Sequence, residues 1–152
     1  MNGIVLYRIA RQLYLWQVPL LPKLIKWLIF LMYNSVIPPE CKIGKDSSLV
    51  HGGIGIVIHP DAIIGDRVCI GQGMTIGGTF GSGVPIIESD VWIGPGVRIL
   101  GDVRVHSNSV IGANSVVTKD VPANCIVGGI PAKTIKTIQP DSLDVLSGRL
   151  NY

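Results

Sequence analysis

From Ile87 to Pro122 the chain reads in sixes as IESDVW, IGPGVR, ILGDVR, VHSNSV, IGANSV and VTKDVP. An aliphatic residue opens every block (Ile87, Ile93, Ile99, Val105, Ile111, Val117), and a small or β-branched residue stands four places on (Val91, Val97, Val103, Ser109, Ser115, Val121). A short fixed period means that no unit buries its apolar side alone, so successive units must stack into a solenoid around one continuous core. Six residues suit a short strand and a turn, and three such units make a coil of about 18 residues lying under the next. The expected fold class is mainly β, a parallel β-helix.

Working upstream, the period returns with a shifted phase. Ile58, Ile64, Ile70 and Ile76 open one run, and Ile43 and Leu49 begin an earlier one. Glycine follows the opening aliphatic at Gly44, Gly65, Gly71, Gly77, Gly94 and Gly112, where a tight corner is needed. The phase breaks at Gly52 to Gly55, inside HGGIGIVI, and at Gly77 to Ile86, inside IGGTFGSGVPI. Interruptions of a strict repeat put loops on the solenoid wall, and such loops commonly carry function.

Outside the repeats, residues 4 to 16 suit one helix, and Pro22 can open a second that runs to Tyr33 and is apolar nearly all round. Its unbroken apolar run, Trp27 to Tyr33, is far below the roughly 18 to 20 residues needed to cross a bilayer. Two readings of this hairpin remain open. It packs against the solenoid or a neighbouring subunit, or residues 4–34 touch a membrane surface with Lys23 and Lys26 toward lipid head groups. The expected organisation is a helical segment over residues 1–37, a β-helix over 38–132 and a tail over 133–152, with a short helix from Asp141 to Leu146 possible.

A net charge of +3 over 152 residues is too mild and scattered to argue for nucleic acid. Three widely spaced cysteines, Cys41, Cys69 and Cys125, form neither a zinc pattern nor a disulfide framework. With no secretory signal pattern at the N-terminus, the expected compartment is the cytoplasm, the inner face of the membrane included.

The hexapeptide period, together with LVHGGIGIVI, TIGGTFGSG and IGANSVVTKDVPANCIVGGIPAK, resembles the left-handed β-helix acyltransferases, most closely the serine acetyltransferase branch, over roughly Ile43 to Lys136. The left hand comes from this resemblance alone. The resemblance implies a homotrimer, with acetyl-CoA as co-substrate along the groove between adjacent subunits and no metal. His51, in LVHGGIGIVI, falls where the family places its catalytic histidine. Such chemistry needs a base, because a neutral imidazole can take the proton of a hydroxyl as it attacks a thioester. The resemblance further implies that Gly77, Gly78 and Thr79 line the pantetheine arm, and that Pro95 and Ala113, one coil apart, form its wall. Thr118 and Lys119 match a pair near the nucleotide end, and Lys133 and Lys136 match basic positions on its phosphates.

Three departures bear on the acceptor. The residue before the histidine, acidic in serine acetyltransferases, is Val50 here. The loop after Gly-Gly-Thr is shorter and lacks the family's Arg-His pair, and the aspartate that usually partners the histidine aligns with Val36. Candidates to orient His51 are then a backbone carbonyl, Asp46, Glu40 or a neighbouring subunit. Loss of these carboxylates favours a neutral hydroxyl acceptor, a sugar of a surface polysaccharide or its precursor, over L-serine. Readings from other classes are a trimeric scaffold without activity and a zinc-dependent hexapeptide enzyme. The latter needs three convergent histidines, and His51, His59 and His106 are not spaced to stack. His59 reads as a corner residue that could line the acceptor pocket, and His106 as solvated. Asp61, Asp66, Asp90, Asp102 and Asp120 read as turn residues with local hydrogen bonds.

Overall fold

The computed structural model describes residues 2–138 apart from Phe80 and Ser82. The possible helix from Asp141 to Leu146 lies outside the described residues. Two helices come first, α1 (Gly3–Leu15) and α2 (Leu21–Tyr33). Asn2 caps α1, its side chain accepting the Ile4 amide at 3.1 Å, and α2 starts at Leu21 with Pro22 in its first turn.

Short strands follow: β1 (Lys42–Ile43), β2 (Ser48–Leu49), β3 (Val57–Ile58), β4 (Ile63–Ile64), β5 (Cys69–Ile70), β6 (Thr75–Gly77) and β7 (Ile86–Ile87). Then come β8 (Trp92–Ile93), β9 (Arg98–Leu100), β10 (Arg104–Val105), β11 (Val110–Ile111), β12 (Val116–Val117), β13 (Cys125–Gly128) and β14 (Lys133–Thr137). They form three sheets, ordered β1-β4-β7-β10, β2-β5-β8-β11-β13-β14 and β3-β6-β9-β12, with all neighbours parallel except the final pair. Through β12 every third strand returns to the same sheet, which is how a six-residue period becomes a three-sided coil.

The register reports each coil's length directly. Ile87 pairs with Val105, Ile93 with Ile111 and Ile99 with Val117, each 18 residues on. Ile43 pairs with Ile64, 21 residues on, and Ile64 with Ile87, 23 on. The lower coils therefore carry insertions of three and five residues, at the two phase breaks.

The opening aliphatics of the hexapeptides point inward: Ile58, Ile64, Ile70, Ile76, Ile87, Ile93, Ile99, Val105, Ile111 and Val117 are all buried. Fully burying one such side chain is worth about 1.5–3 kcal/mol. Polar members of the small positions are buried too, and they bond backbone. Ser47 donates to the Gly65 carbonyl at 2.9 Å and accepts the Val68 amide at 3.0 Å, tying one coil to the next. Corner glycines allow that close stacking, since a Cβ on Gly94 would lie 2.7 Å from the Ala113 amide nitrogen.

α1 closes the lower end through Leu6, Tyr7 and Ala10, and α2 adds Ile29. The Tyr7 hydroxyl donates to the Cys41 carbonyl at 2.6 Å and accepts the Ile43 amide at 3.1 Å, so the first coil's edge is satisfied by a helix. Burial raises the Tyr7 phenol pKa and pushes the Cys41 thiol up to about 12. No described helix is long and apolar enough to cross a membrane.

Two sequence expectations change here. From sequence the β-helix ends at residue 132 and a tail follows, but Lys133–Thr137 turns back as β14, antiparallel to β13. All five residues of this strand are exposed, so it leaves no burial pattern to read. Three of the five turn aspartates also bond between coils rather than locally: Asp66 accepts the Lys45 amide at 2.7 Å, Asp120 the Arg104 amide at 2.8 Å, and Asp90 pairs with Arg67 through two hydrogen bonds of 2.6 and 2.8 Å, whereas Asp61 stays local, 3.8 Å from His59.

Candidate active site

The three-residue insertion in the lowest full coil is His51-Gly52-Gly53. Higher coils turn the same corner on one left-handed residue each, Gly73, Gly96 and Asn114, and Gly55 fills that place below them. The insertion adds three consecutive positive φ values, 51° at His51, 76° at Gly52 and 90° at Gly53. The glycines adopt them freely, whereas a residue with a Cβ is disfavoured there by roughly 1–2 kcal/mol. Such local strain persists only where the surroundings hold it.

The surroundings here come from the helical hairpin. Asn2 donates its side-chain amide to the Leu49 carbonyl at 3.1 Å. A Cβ on Gly3 would lie 2.9 Å from the Gly52 carbonyl oxygen, and one on Gly52 would lie 3.1 Å from the Tyr33 ring. Below the loop the fully buried Ser35 donates to the Gly53 carbonyl at 2.5 Å and accepts the Ile56 amide at 2.9 Å. His51 is thus an exposed imidazole on a turn whose backbone is clamped from three sides. Asn2, Gly3 and Ser35 are absent from the sequence-based candidates. Asn2 before an apolar periodic segment is a helix-cap signal that could have flagged the first of them, while Ser35 stands in phase with Cys41 and Ser47 at the small position of the repeat, and that period could have flagged it.

Neither suggested carboxylate reaches the ring. Among the described residues of one chain, no hydrogen bond or ion pair joins His51 to Asp46 or Glu40. The Glu40 carbonyl instead receives Arg11, which also bonds the Pro39 carbonyl. Val36, at the position of the missing aspartate, is a backbone partner of Val57 in the wall.

Apart from Lys133 and Lys136, the remaining candidates lie along two edges of one face, the sheet β3-β6-β9-β12. On the edge where the chain enters that sheet are the His51 turn and, above it, Pro95 and Ala113; the Asn114 amide donates to the Pro95 carbonyl at 2.8 Å, which stacks those corners. On the edge where the chain leaves are Gly77, Gly78 and Thr79, with Thr118 and Lys119 two coils higher. Lys133 and Lys136 sit at the top on β14, opposite Gly128 and Ile126 of β13. Four strand spacings separate the sheet rung at the His51 turn from β13, roughly 19 Å. Between the edges lies Arg98, not singled out from sequence, whose guanidinium donates to the carbonyls of Gly73 at 2.5 Å and Gly96 at 3.0 Å.

The other two histidines play parts in corners. His59 accepts the Asp61 amide at 3.2 Å through Nδ1. His106, expected to be solvated, instead meets Glu88 at 3.1 Å, and Glu88 also accepts the amide and hydroxyl of Ser107, each at 3.0 Å. Those Ser107 bonds hold the Glu88 pKa below the ordinary carboxylate value. No group of three metal-ligating side chains occurs among the described residues. All three cysteines are buried and unpaired, and burial raises the pKa of Cys41 and Cys69 and so disfavours their thiolates.

The bacterial transferase hexapeptide (six repeats) family model matches residues 85–119. The chain is 38% identical over 148 residues to the serine acetyltransferase of Synechococcus elongatus, covering 94% of this chain and 60% of that protein. It is 45% identical over 103 residues to a serine acetyltransferase of Staphylococcus aureus, covering 66% of this chain and 48% of the relative. Among solved structures, serine acetyltransferase from Brucella abortus in complex with coenzyme A aligns with TM-score 0.83 at 33% identity, over 90% of this chain and 55% of that one. The Neisseria gonorrhoeae enzyme in complex with serine gives TM-score 0.81 at 34% identity, over 88% and 55%. The chain therefore spans about half the length of the relatives it matches. In repeat, coil geometry and these likenesses together, it is similar to the hexapeptide-repeat, left-handed β-helix acetyltransferases of the serine acetyltransferase-like branch.

Proposed function

We propose that this chain is an acetyl-CoA-dependent O-acetyltransferase with His51 as its general base and L-serine as its acceptor. The observation that carries the reading is an exposed imidazole on a left-handed turn that the repeat does not need and that the N-terminal hairpin clamps. A ring held in this way can remove the acceptor's hydroxyl proton as the oxygen attacks the thioester carbonyl. The tetrahedral intermediate then collapses with cleavage of the carbon–sulfur bond, and the imidazolium returns its proton to the departing CoA sulfur. No enzyme-bound acyl group is required, in keeping with buried cysteines whose thiolates are disfavoured at Cys41 and Cys69. Holding both substrates together supplies much of the remaining acceleration.

The five strand spacings from the His51 rung to lysine-bearing β14, roughly 24 Å, suit a long, extended thioester. In this reading its acetyl end lies at His51 and its phosphates near Lys119, Lys133 and Lys136, whose ammonium groups act as point charges. Gly77, Gly78 and Thr79, with Pro95 and Ala113, line the arm between. Those residues occupy opposite edges of one face, which favours a groove completed by a neighbouring copy, as in a homotrimer. The neighbour is then the natural source of the group that orients His51.

The choice of acceptor reverses the preference drawn from Val50, Val36 and the shortened loop. Relatives named serine acetyltransferase, one of them solved with serine, outweigh the missing carboxylates. A thiol-release assay with acetyl-CoA across serine, free sugars and lipid-linked sugars tests this. Serine-dependent release is expected; release only with sugars restores the neutral acceptor, and the absence of acetyl-CoA binding leaves a scaffold.

A further inference from the structure

α2 buries little besides Pro22 and Ile29, and an apolar stripe runs along its outer side. Leu20, Leu24, Trp27 and Leu31 recur at i, i+4, i+7 and i+11, one helix face, and are 70, 61, 63 and 77% exposed. Leu28, Phe30 and Met32 widen the patch, and Trp16 stands exposed at the end of α1. Contiguous exposed apolar surface of this kind marks an interaction site.

Charge indicates the occupant. Lys23 and Lys26 lie along one margin of the stripe, and no carboxylate pairs with either among the described residues. Residues 1–39 contain Arg8, Arg11, Lys23 and Lys26 and no aspartate or glutamate. A second copy docking hairpin to hairpin would bring lysine toward lysine with no acidic side chain from either hairpin. An anionic surface meets the lysines with the opposite sign. The helix has 13 residues, about 20 Å long, short of the roughly 30 Å hydrocarbon core, so it can lie in the interface but not span it. Its leucines and Trp27 beside lysines are the composition of an interfacial helix.

We propose that the outer face of α2 docks onto an anionic phospholipid bilayer, with Leu20, Leu24, Trp27 and Leu31 in the acyl boundary and Lys23 and Lys26 on the head groups. The inference stands apart from acetyl transfer and from the identity of the acceptor.

Vesicle flotation of the full chain tests it, using phosphatidylcholine alone and phosphatidylcholine mixed with phosphatidylglycerol. Binding about tenfold stronger to the mixed vesicles is expected, weakening with salt. K23E/K26E should remove the preference for phosphatidylglycerol. L24E/L31E should remove binding while leaving the circular dichroism, the melting temperature and the light-scattering mass unchanged. No binding to mixed vesicles, or full binding by L24E/L31E, overturns the proposal. So does a fall in assembly mass of L24E/L31E, which would make the stripe a contact between copies.

Discussion

Between Ile87 and Val117 the solenoid steps by 18 residues from coil to coil, while between Ile43 and Ile87 the steps are 21 and 23. The upper coils spend every residue on wall, corner or core. The lower coils add eight residues that the wall does not need, and the additions sit at the His51 turn and the Gly77 to Ile86 loop. The difference separates two kinds of constraint on one repeat. Positions that close the coil are chosen for burial, and inserted positions are chosen for what they present at an edge.

The contrast predicts that the two regions fail in different ways. His51→Ala should lower turnover by about 10²- to 10⁴-fold with little change in acetyl-CoA affinity or melting temperature, since the ring is exposed and alanine removes no packing. Steady-state kinetics beside calorimetric CoA titration checks this, and unchanged turnover would remove His51 from the mechanism. Ile99→Ala is the reverse case in the regular half. Ile99 is fully buried, and its truncation should cost about 2–5 kcal/mol in denaturant unfolding. Protein that remains folded should keep most of its turnover, because the wall and not the edge has been weakened. If Ile99→Ala at folding-permissive temperature lost activity as completely as His51→Ala, the separation of the two regions would be wrong.

How legible each region is in the sequence follows from the same division. Burial imposes a period, so Ile87, Ile93 and Ile99 announce the wall, and the breaks at Gly52 and Gly77 announce insertions. What the hairpin adds to hold an insertion has no period. Asn2 reaches Leu49 across 47 residues, a contact that exists only after the helices have folded back. Exposed β14 is hidden for the matching reason, since a strand that buries nothing leaves no alternation to find. His51 itself is identifiable from the segment around it, but what orients its ring is not encoded locally. Val36 cannot serve because its aliphatic side chain offers no hydrogen-bonding group, although its backbone pairs with Val57 in the wall.

The smallest predicted effect lies in a corner of the regular half. Glu88 gathers Ser107, His106 and Arg104 from the coil above, with Arg104 at 3.3 Å. Its pKa is lowered chiefly by the Ser107 hydroxyl and amide. A carboxylate whose folded pKa is lowered contributes stability above its unfolded value, near 4.3, and that contribution is lost as pH falls through the folded value. Glu88→Gln keeps an acceptor for Ser107 but no charge for Arg104. Melting temperatures of the two proteins should therefore differ modestly at neutral pH and converge as pH falls below the ordinary carboxylate range and through the lowered folded value. Turnover at His51 should not move, because this corner closes wall rather than an inserted edge. A constant gap between the melting curves across that range would mean that shape, not ionisation, makes the Glu88 contribution. A fall in turnover would instead tie the regular coils to the chemistry of the interrupted ones.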